Sequence, residues 1–171
     1  MTFPGRSRRS ALVAVMAVLA VLLAAAGVVL LLTAPSRSTD SNRAVVDEQA
    51  TAEVVGQVDT ALQRVLSYRY SAPEATKAAA QQVLVGDAAR QYGVLFRALQ
   101  KKAAGQQLTL SAHVVTAGVT TLTDSRAELL VFLDQSSTRA SDGTTSTSAA
   151  QLRVAAVRSA GTWRISELVP L

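Results

Sequence analysis

The chain contains no cysteine, one histidine and only seven aromatic residues among 171. Without thiols it can form neither a disulfide nor a thiolate metal site, and a single imidazole excludes the usual zinc ligand sets. The sequence also lacks the GxxxxGK[ST] loop that holds phosphates and the GxSxG turn of many serine hydrolases. The stability of any folded domain must therefore come from apolar burial, and no common catalytic motif is present.

The first acidic residue of the chain is Asp40. Before it, residues 11–32 contain no charged residue, no amide side chain and no proline. As a helix this run measures about 33 Å, enough for a hydrocarbon core of about 30 Å. Arg6, Arg8 and Arg9 precede it, so residues 1–10 are predicted to be a cytoplasmic tail and the C-terminal region to be exported.

A cleaved signal peptide is the alternative interpretation of residues 11–32. Signal peptides have apolar regions of about 7–15 residues followed by a small-x-small cleavage site. This run is longer, and its exit has the bulky Leu32 at the first position and Pro35 just after the cut. We therefore expect a retained, single-pass anchor in the cell membrane, with the C-terminal domain outside the cytoplasm.

The net charge of +5 comes mainly from the N-terminal part of the chain. Residues 1–43 hold five arginines and one aspartate, whereas residues 44–171 hold 12 basic and 11 acidic residues. This distribution is typical of a membrane-orienting signal, and it does not indicate a nucleic-acid-binding domain. Residues 33–43 are predicted to be a polar linker, and residues 44–171 a single extracytoplasmic domain.

Three segments after the linker have the 3.6-residue periodicity of amphipathic helices. The first, residues 44–67, is predicted to be capped by Ser41 or Asn42. The second covers residues 71–84. The third begins at Asp87 after a break at Gly86, ends at Gly105, and carries basic residues opposite its apolar stripe. These basic residues are Arg90, Arg97 and Lys101.

After Gly105 the period changes to 2, which predicts strands. Four are expected: residues 108–122 with a bulge or bend at Gly118, residues 126–137 in a central position, a third strand around residues 152–158, and residues 162–168. A polar hairpin loop is predicted for residues 140–148. The fold class is therefore α+β, with three helices on a curved four-stranded antiparallel sheet. An NTF2-like (cystatin-like) cone fits this order of elements.

Six aromatic residues are candidates for the lining of a lipid or steroid pocket inside such a cone, and core packing is the alternative for all of them. They are Tyr68, Tyr70, Tyr92, Phe96, Phe132 and Trp163. A pocket enzyme would need a buried carboxylate as a general base, and Asp134 and Glu128 are the candidates. His113 is expected on the polar side of its strand, with Thr109 and Ser111. No metal site or cofactor is predicted.

Several segments of the chain resemble the Mce-associated membrane proteins, which accompany mammalian-cell-entry (Mce) lipid-import systems in the actinobacterial envelope. These segments are Leu66–Tyr70 (LSYRY), Tyr92–Phe96 (YGVLF), Val114–Val119 (VVTAGV), Leu130–Gln135 (LVFLDQ) and Gly161–Leu171 (GTWRISELVPL). Their order and their position after one predicted span carry the resemblance. Arg69 departs from it, because an acidic residue is expected between the two tyrosines.

This resemblance implies a non-catalytic, membrane-anchored accessory subunit that stabilises or positions an Mce-type lipid-import complex. Its expected partners are Mce-family lipid-binding proteins, their permease, or both. The resemblance implies no catalytic residue and no cofactor. An extracytoplasmic module that binds a lipid or another small apolar ligand is the alternative function, and an NTF2-like pocket enzyme is a further one.

Overall fold

A computed structural model of the chain describes residues 42–44 and 47–171. The predicted tail, the membrane span and all of the linker before Asn42 lie outside these residues. Within the described ranges, no helix combines the length and apolarity that crossing a bilayer requires.

Three helices come first: α1 (Glu48–Leu66), α2 (Pro73–Val83) and α3 (Gly86–Gln106). Their number and order are as predicted, but their ends differ. Asp47 caps α1, because its carboxylate accepts a hydrogen bond of 2.9 Å from the Ala50 N–H. Val85 occupies the N-terminal cap position of α3, with Asp87 in the first turn, and Gln107, whose φ of 50° is left-handed, caps its C-terminal end.

Asn42, one of the two predicted caps, instead holds the end of a strand. Its Oδ1 accepts a hydrogen bond from the Leu122 N–H, and its Nδ2 donates to the Thr120 carbonyl, both at 2.9 Å. The Arg43 N–H also donates to the Leu122 carbonyl at 2.8 Å. We call these three bonds the N-terminal clamp. It fastens the first described residues to a strand about 80 positions later in the chain.

The sheet has five strands and not the predicted four. They are β1 (Tyr68–Arg69), β2 (Leu108–Leu122), β3 (Arg126–Arg139), β4 (Thr145–Ser159) and β5 (Thr162–Pro170), arranged in chain order. The additional strand, β1, pairs antiparallel with Leu110 and Thr109 of β2. Two residues are too few to produce a periodicity that sequence analysis can detect.

The β3–β4 hairpin is longer than predicted, because Thr145 to Ser148 belong to the ladder and not to a loop. Thr138 pairs with Thr145, and their hydroxyls are 3.0 Å apart. The connection therefore shrinks to residues 140–144. Strand β2 stays paired with β3 up to this end, where Leu108 lies opposite Arg139.

Strand β2 has two irregularities, at Val115 and Thr120, and neither is at the predicted position Gly118. Each inserts one extra residue against β3. As a result Val114, Ala117 and Val119 all contact the core, although a regular strand would place Val114 and Ala117 on opposite faces. The bulges thus keep the apolar residues of β2 on one face.

Helix α1 packs on the concave face of the curled sheet and forms the main core with it. Val54, Val58 and Leu62 of α1 are no more than 1% exposed. The strand residues that meet them are also buried and alternate along β3 and β4: Leu129, Val131, Leu133, Leu152, Val154 and Ala156. The inside of the cone is therefore occupied by helix side chains along this seam.

The segment between α2 and α3 covers part of the outer edge of β5. Leu84 forms a parallel bridge with Ile165, and the Val85 N–H donates to the Ile165 carbonyl at 2.9 Å. Gly86 follows with a φ of 56°, a left-handed value that favours glycine. This turn directs α3 away from the sheet edge.

Candidate functional site

The six predicted pocket residues lie in separate places. Tyr68, Tyr92 and Phe96 form one cluster between α3 and the start of the sheet. The Phe96 ring meets Tyr68 edge-on at a centroid distance of 6.0 Å and stacks on Tyr92 at 5.6 Å. Geometries of this kind are typical of packed aromatic cores.

The Tyr92 hydroxyl is already used inside this aromatic cluster. It donates a hydrogen bond of 2.9 Å to the carbonyl of Val65, in the last turn of α1. Burial raises the pKa of Tyr92 well above its usual value, and it raises the pKa of Tyr68 as well. The Tyr92 hydroxyl therefore stays protonated and joins α3 to α1.

The other three aromatic residues are apart from this cluster. Trp163 is 4% exposed and belongs to the main core, where its backbone N–H donates to Gln57 Oε1 at 2.8 Å and the Arg158 guanidinium lies 5.8 Å from the centre of its ring. Tyr70 and Phe132 are 38% and 40% exposed. The structure thus brings Tyr68, Tyr92 and Phe96 together and separates Trp163, Tyr70 and Phe132 from them.

The candidate carboxylates lie on the outer face of the sheet. Glu128 and Asp134 alternate with the buried residues of β3 and are exposed, together with Phe132. Leu130, on the same face, is half-buried. A general base inside the cone would have to project from the opposite face of this strand. Neither carboxylate therefore has the position that the enzyme hypothesis requires.

A depression of about 430 Å³, lined mostly by polar residues, lies on this outer face near the end of the β3–β4 hairpin. His113 and Asp134 stand directly opposite each other on β2 and β3, and Ser111 and Ser136 form a second pair two positions along. His113 is thus on the polar side, as predicted. Among the described residues no three His, Asp or Glu side chains are close enough to hold a metal ion.

Beyond His113 and Asp134, the outer face of the sheet carries apolar side chains among polar ones. Thr116, Phe132 and Gln151 form the row beyond His113, and Gly118, Leu130 and Arg153 form the next. The bulge residue Val115, beside Phe132 in the ladder, is 57% exposed. No described helix covers these rows. We call Val115, Leu130 and Phe132 the outer apolar patch; their neighbours Thr116, Gln151 and Arg153 are polar.

The outer apolar patch was not predicted from the sequence. Residues 129–133 are apolar on both faces, a pattern that predicted a central strand. Two considerations indicate the patch. Three helices can cover only one face of a broad sheet. Strand alternation places Phe132 on the face opposite Leu129, Val131 and Leu133. The structure shows that these three are buried and that Phe132 is exposed.

No protein-family model matches the chain, and no curated protein matches it. Solved structures do match. An IcmL-like type IV secretion system protein from Legionella pneumophila aligns with a TM-score of 0.58 and 11% identity, over 72% of this chain and 94% of that one. CagV, a VirB8 homolog of the type IV secretion system of Helicobacter pylori, aligns with a TM-score of 0.57 and 11% identity, over 70% and 98%.

An NTF2-like superfamily protein from Salmonella enterica aligns with a TM-score of 0.49 and 13% identity, over 71% of this chain and 92% of that one. The expected architecture is present in its coarse form, as three helices on a curled antiparallel sheet, with one strand more than predicted. At 11% identity the two secretion proteins share this fold with the chain, and the likeness extends to the fold alone.

Proposed function

We propose that the protein is a membrane-anchored, non-catalytic accessory subunit whose extracytoplasmic domain docks a partner through the outer apolar patch. The observation that carries this proposal is the contrast between the two faces of the sheet. The concave face is filled by α1, whereas the outer face exposes Phe132 and Val115 without a covering helix among the described residues. Exposed aromatic and aliphatic residues of this kind are typical of interaction sites.

The partner class follows from the sequence resemblance. Segments such as Leu130–Gln135 resemble the Mce-associated proteins, and Phe132 is the exposed aromatic residue of that segment. We propose that an Mce-family lipid-binding protein or its permease contacts Phe132 in the cell envelope.

The lipid-binding alternative receives less support from the positions of its residues. Three of its six lining residues pack against one another, and Trp163 is part of the main core. We therefore expect Trp163→Asp to unfold the domain, so loss of bound lipid in that variant would not show that Trp163 lines a pocket. The enzyme alternative has its candidate carboxylates on the outer face.

The test is affinity capture of the full chain, tagged at its C-terminus, after mild crosslinking in native membranes. We expect recovery of Mce-type lipid-binding proteins or their permease, and Phe132→Asp should lower that recovery at least about tenfold, the loss expected for a central interface residue. Ala78→Asp, at an exposed position of α2, is the matched control and should retain capture. Deletion of the protein should lower the level of the same partner.

Equal capture by wild type and Phe132→Asp, with both folded, would contradict docking through the patch. A monomer that carries bound lipid and no protein partner would instead support the binding-module alternative. Thermal unfolding of each variant separates lost contact from lost fold, since an exposed position should tolerate the change.

A further inference from the structure

Helix α3 concentrates the basic charge of the described domain. It contains four basic residues and one acidic residue, a net charge of +3, whereas α1 has a net charge of −2 and α2 is neutral. The whole region of residues 44–171 has a net charge of only +1. The charge is therefore unevenly distributed, and one helix carries the excess.

The exposed cations of α3 lie along one line. Arg90, Val94, Arg97 and Lys101 are separated by four, three and four residues, so they follow one side of the helix. All four are exposed, and Val94 is 59% exposed in the middle of the line. We call this line the α3 basic stripe.

The stripe is poorly neutralised by the rest of the domain. Arg90 forms an ion pair with Asp87, one turn earlier. The other ion pairs among the described residues involve neither Arg97 nor Lys101. The opposite side of α3 holds it on the domain through Ala88, Phe96 and Ala103, each no more than 5% exposed. The stripe therefore faces outward on a helix that is anchored from behind.

We propose that the α3 basic stripe docks on the anionic phospholipid headgroups of the membrane in which the chain is anchored. Basic side chains around an exposed apolar residue are typical of helices that lie at a bilayer surface. The predicted span ends at Leu32 and the described domain begins at Asn42. The nine residues between them reach at most about 32 Å when extended. This nine-residue tether, residues 33–41, thus keeps the domain close to the lipid surface.

The tether alone does not decide which side of the domain faces the membrane, whereas the charge of α3 does. Each cation near an anionic surface favours contact about fivefold. Arg97 and Lys101 together should therefore favour the docked orientation roughly 30-fold. This inference rests on the anchor in the proposed function but not on the identity of the protein partner.

The absence of cysteine makes the test direct, because one introduced cysteine gives one label. The full chain carrying Val94→Cys, with an environment-sensitive fluorophore, is incorporated into nanodiscs of phosphatidylcholine with or without phosphatidylglycerol. A second chain carries the label at Thr147→Cys, an exposed position on the outer sheet face. A spin-labelled headgroup lipid then reports the contact by quenching.

We expect quenching at position 94 in discs that contain phosphatidylglycerol, and little at position 147. Raising the salt from about 0.15 M to about 1 M shortens the Debye length from about 8 Å to about 3 Å and should therefore weaken the quenching at position 94. Arg97→Gln with Lys101→Gln should reduce the docked-to-undocked ratio roughly 30-fold. Arg64→Gln with Lys77→Gln removes the same charge from other helices and should change the ratio less than about twofold.

Equal quenching at positions 94 and 147, or quenching independent of phosphatidylglycerol, would overturn the proposal. An unchanged docked-to-undocked ratio in the Arg97 and Lys101 double variant would also overturn the proposal. Binding of an acidic protein to the stripe in place of lipid would overturn it as well. Failure to enter the discs would overturn the anchor itself. Partner capture through Phe132 is measured separately, so the two proposals can fail independently.

Discussion

At the scale of single residues, Tyr92 joins two helices through one hydroxyl. The Val65 carbonyl that accepts its hydrogen bond lies in the last turn of α1, where carbonyls have no partner within the helix. Tyr92→Phe keeps the ring stacked on Phe96 and removes only this bond. We expect a loss of about 1 kcal/mol in the free energy of unfolding at neutral pH, measured by urea titration.

The same residue predicts a dependence on alkaline pH. Burial raises the pKa of Tyr92 in the folded state, so the folded protein keeps the proton that the unfolded chain loses above about pH 10. Stability should therefore fall as the pH rises above about 10, and Tyr92→Phe should reduce that fall. Tyr70→Phe, at an exposed position, is the control and should leave both properties unchanged.

At the scale of elements, α1 depends on its cap. The hydrogen bond from the Ala50 N–H and, to a smaller extent, the Arg43 guanidinium lower the pKa of Asp47 below its ordinary value of 3.8. The ionised cap thus stabilises the fold above about pH 4 and loses this effect as the pH falls further. We expect Asp47→Ala to lower the melting temperature at pH 7, with the difference from wild type shrinking at low pH.

The substitution Asp47→Asn retains the cap without a titratable carboxylate, since asparagine is an effective N-cap. Thermal unfolding of Asp47→Asn should therefore be nearer to wild type at pH 7 than that of Asp47→Ala, and less sensitive to acid. Asp59→Ala, which removes a carboxylate from the interior of α1, controls for helix charge. If Asp59→Ala matched Asp47→Ala at every pH, capping would not be the cause.

The helices and strands also show which parts of the fold a sequence pattern can predict. The 3.6-residue period before Gly105 predicted the three helices, and the period of two after it predicted the four long strands, because each element buries one face over several turns or pairs. Strand β1 and the bulges at Val115 and Thr120 were not predictable in this way. They arise where the chain must match a neighbouring strand, and that match depends on contacts distant in sequence.

The candidate site was harder to predict than the fold, for a similar reason. An apolar residue on a central strand is compatible with burial and with docking, and only the position of the helices distinguishes them. Phe132 was placed on the right strand, as a candidate for a pocket lining or for the core, and the structure shows it exposed. The basic residues of α3 were recognised as lying opposite its apolar stripe, whereas the sequence does not show that, among the described residues, Arg90 pairs with Asp87 and no ion pair involves Arg97 or Lys101.

At the scale of the whole molecule, the core and the surfaces perform separate tasks. Leu62 is fully buried between α1 and the sheet, so Leu62→Ala should cost about 2–5 kcal/mol in the free energy of unfolding. Leu171→Ala makes the same change at a residue that is 66% exposed and should cost less than about 0.5 kcal/mol. Urea unfolding of the full chain in detergent measures both, and similar costs would contradict the core assignment.

The N-terminal clamp has a mechanical consequence for a tethered domain. Any tension that arrives through the chain before Asn42 meets the bonds from Asn42 and Arg43 to Thr120 and Leu122 first. Those bonds attach to β2, which is paired with β3 along most of its length. A pulling force is therefore spread over the ladder of the sheet before it reaches α1, and the domain can bear strain from its anchor without losing the helix that fills its core.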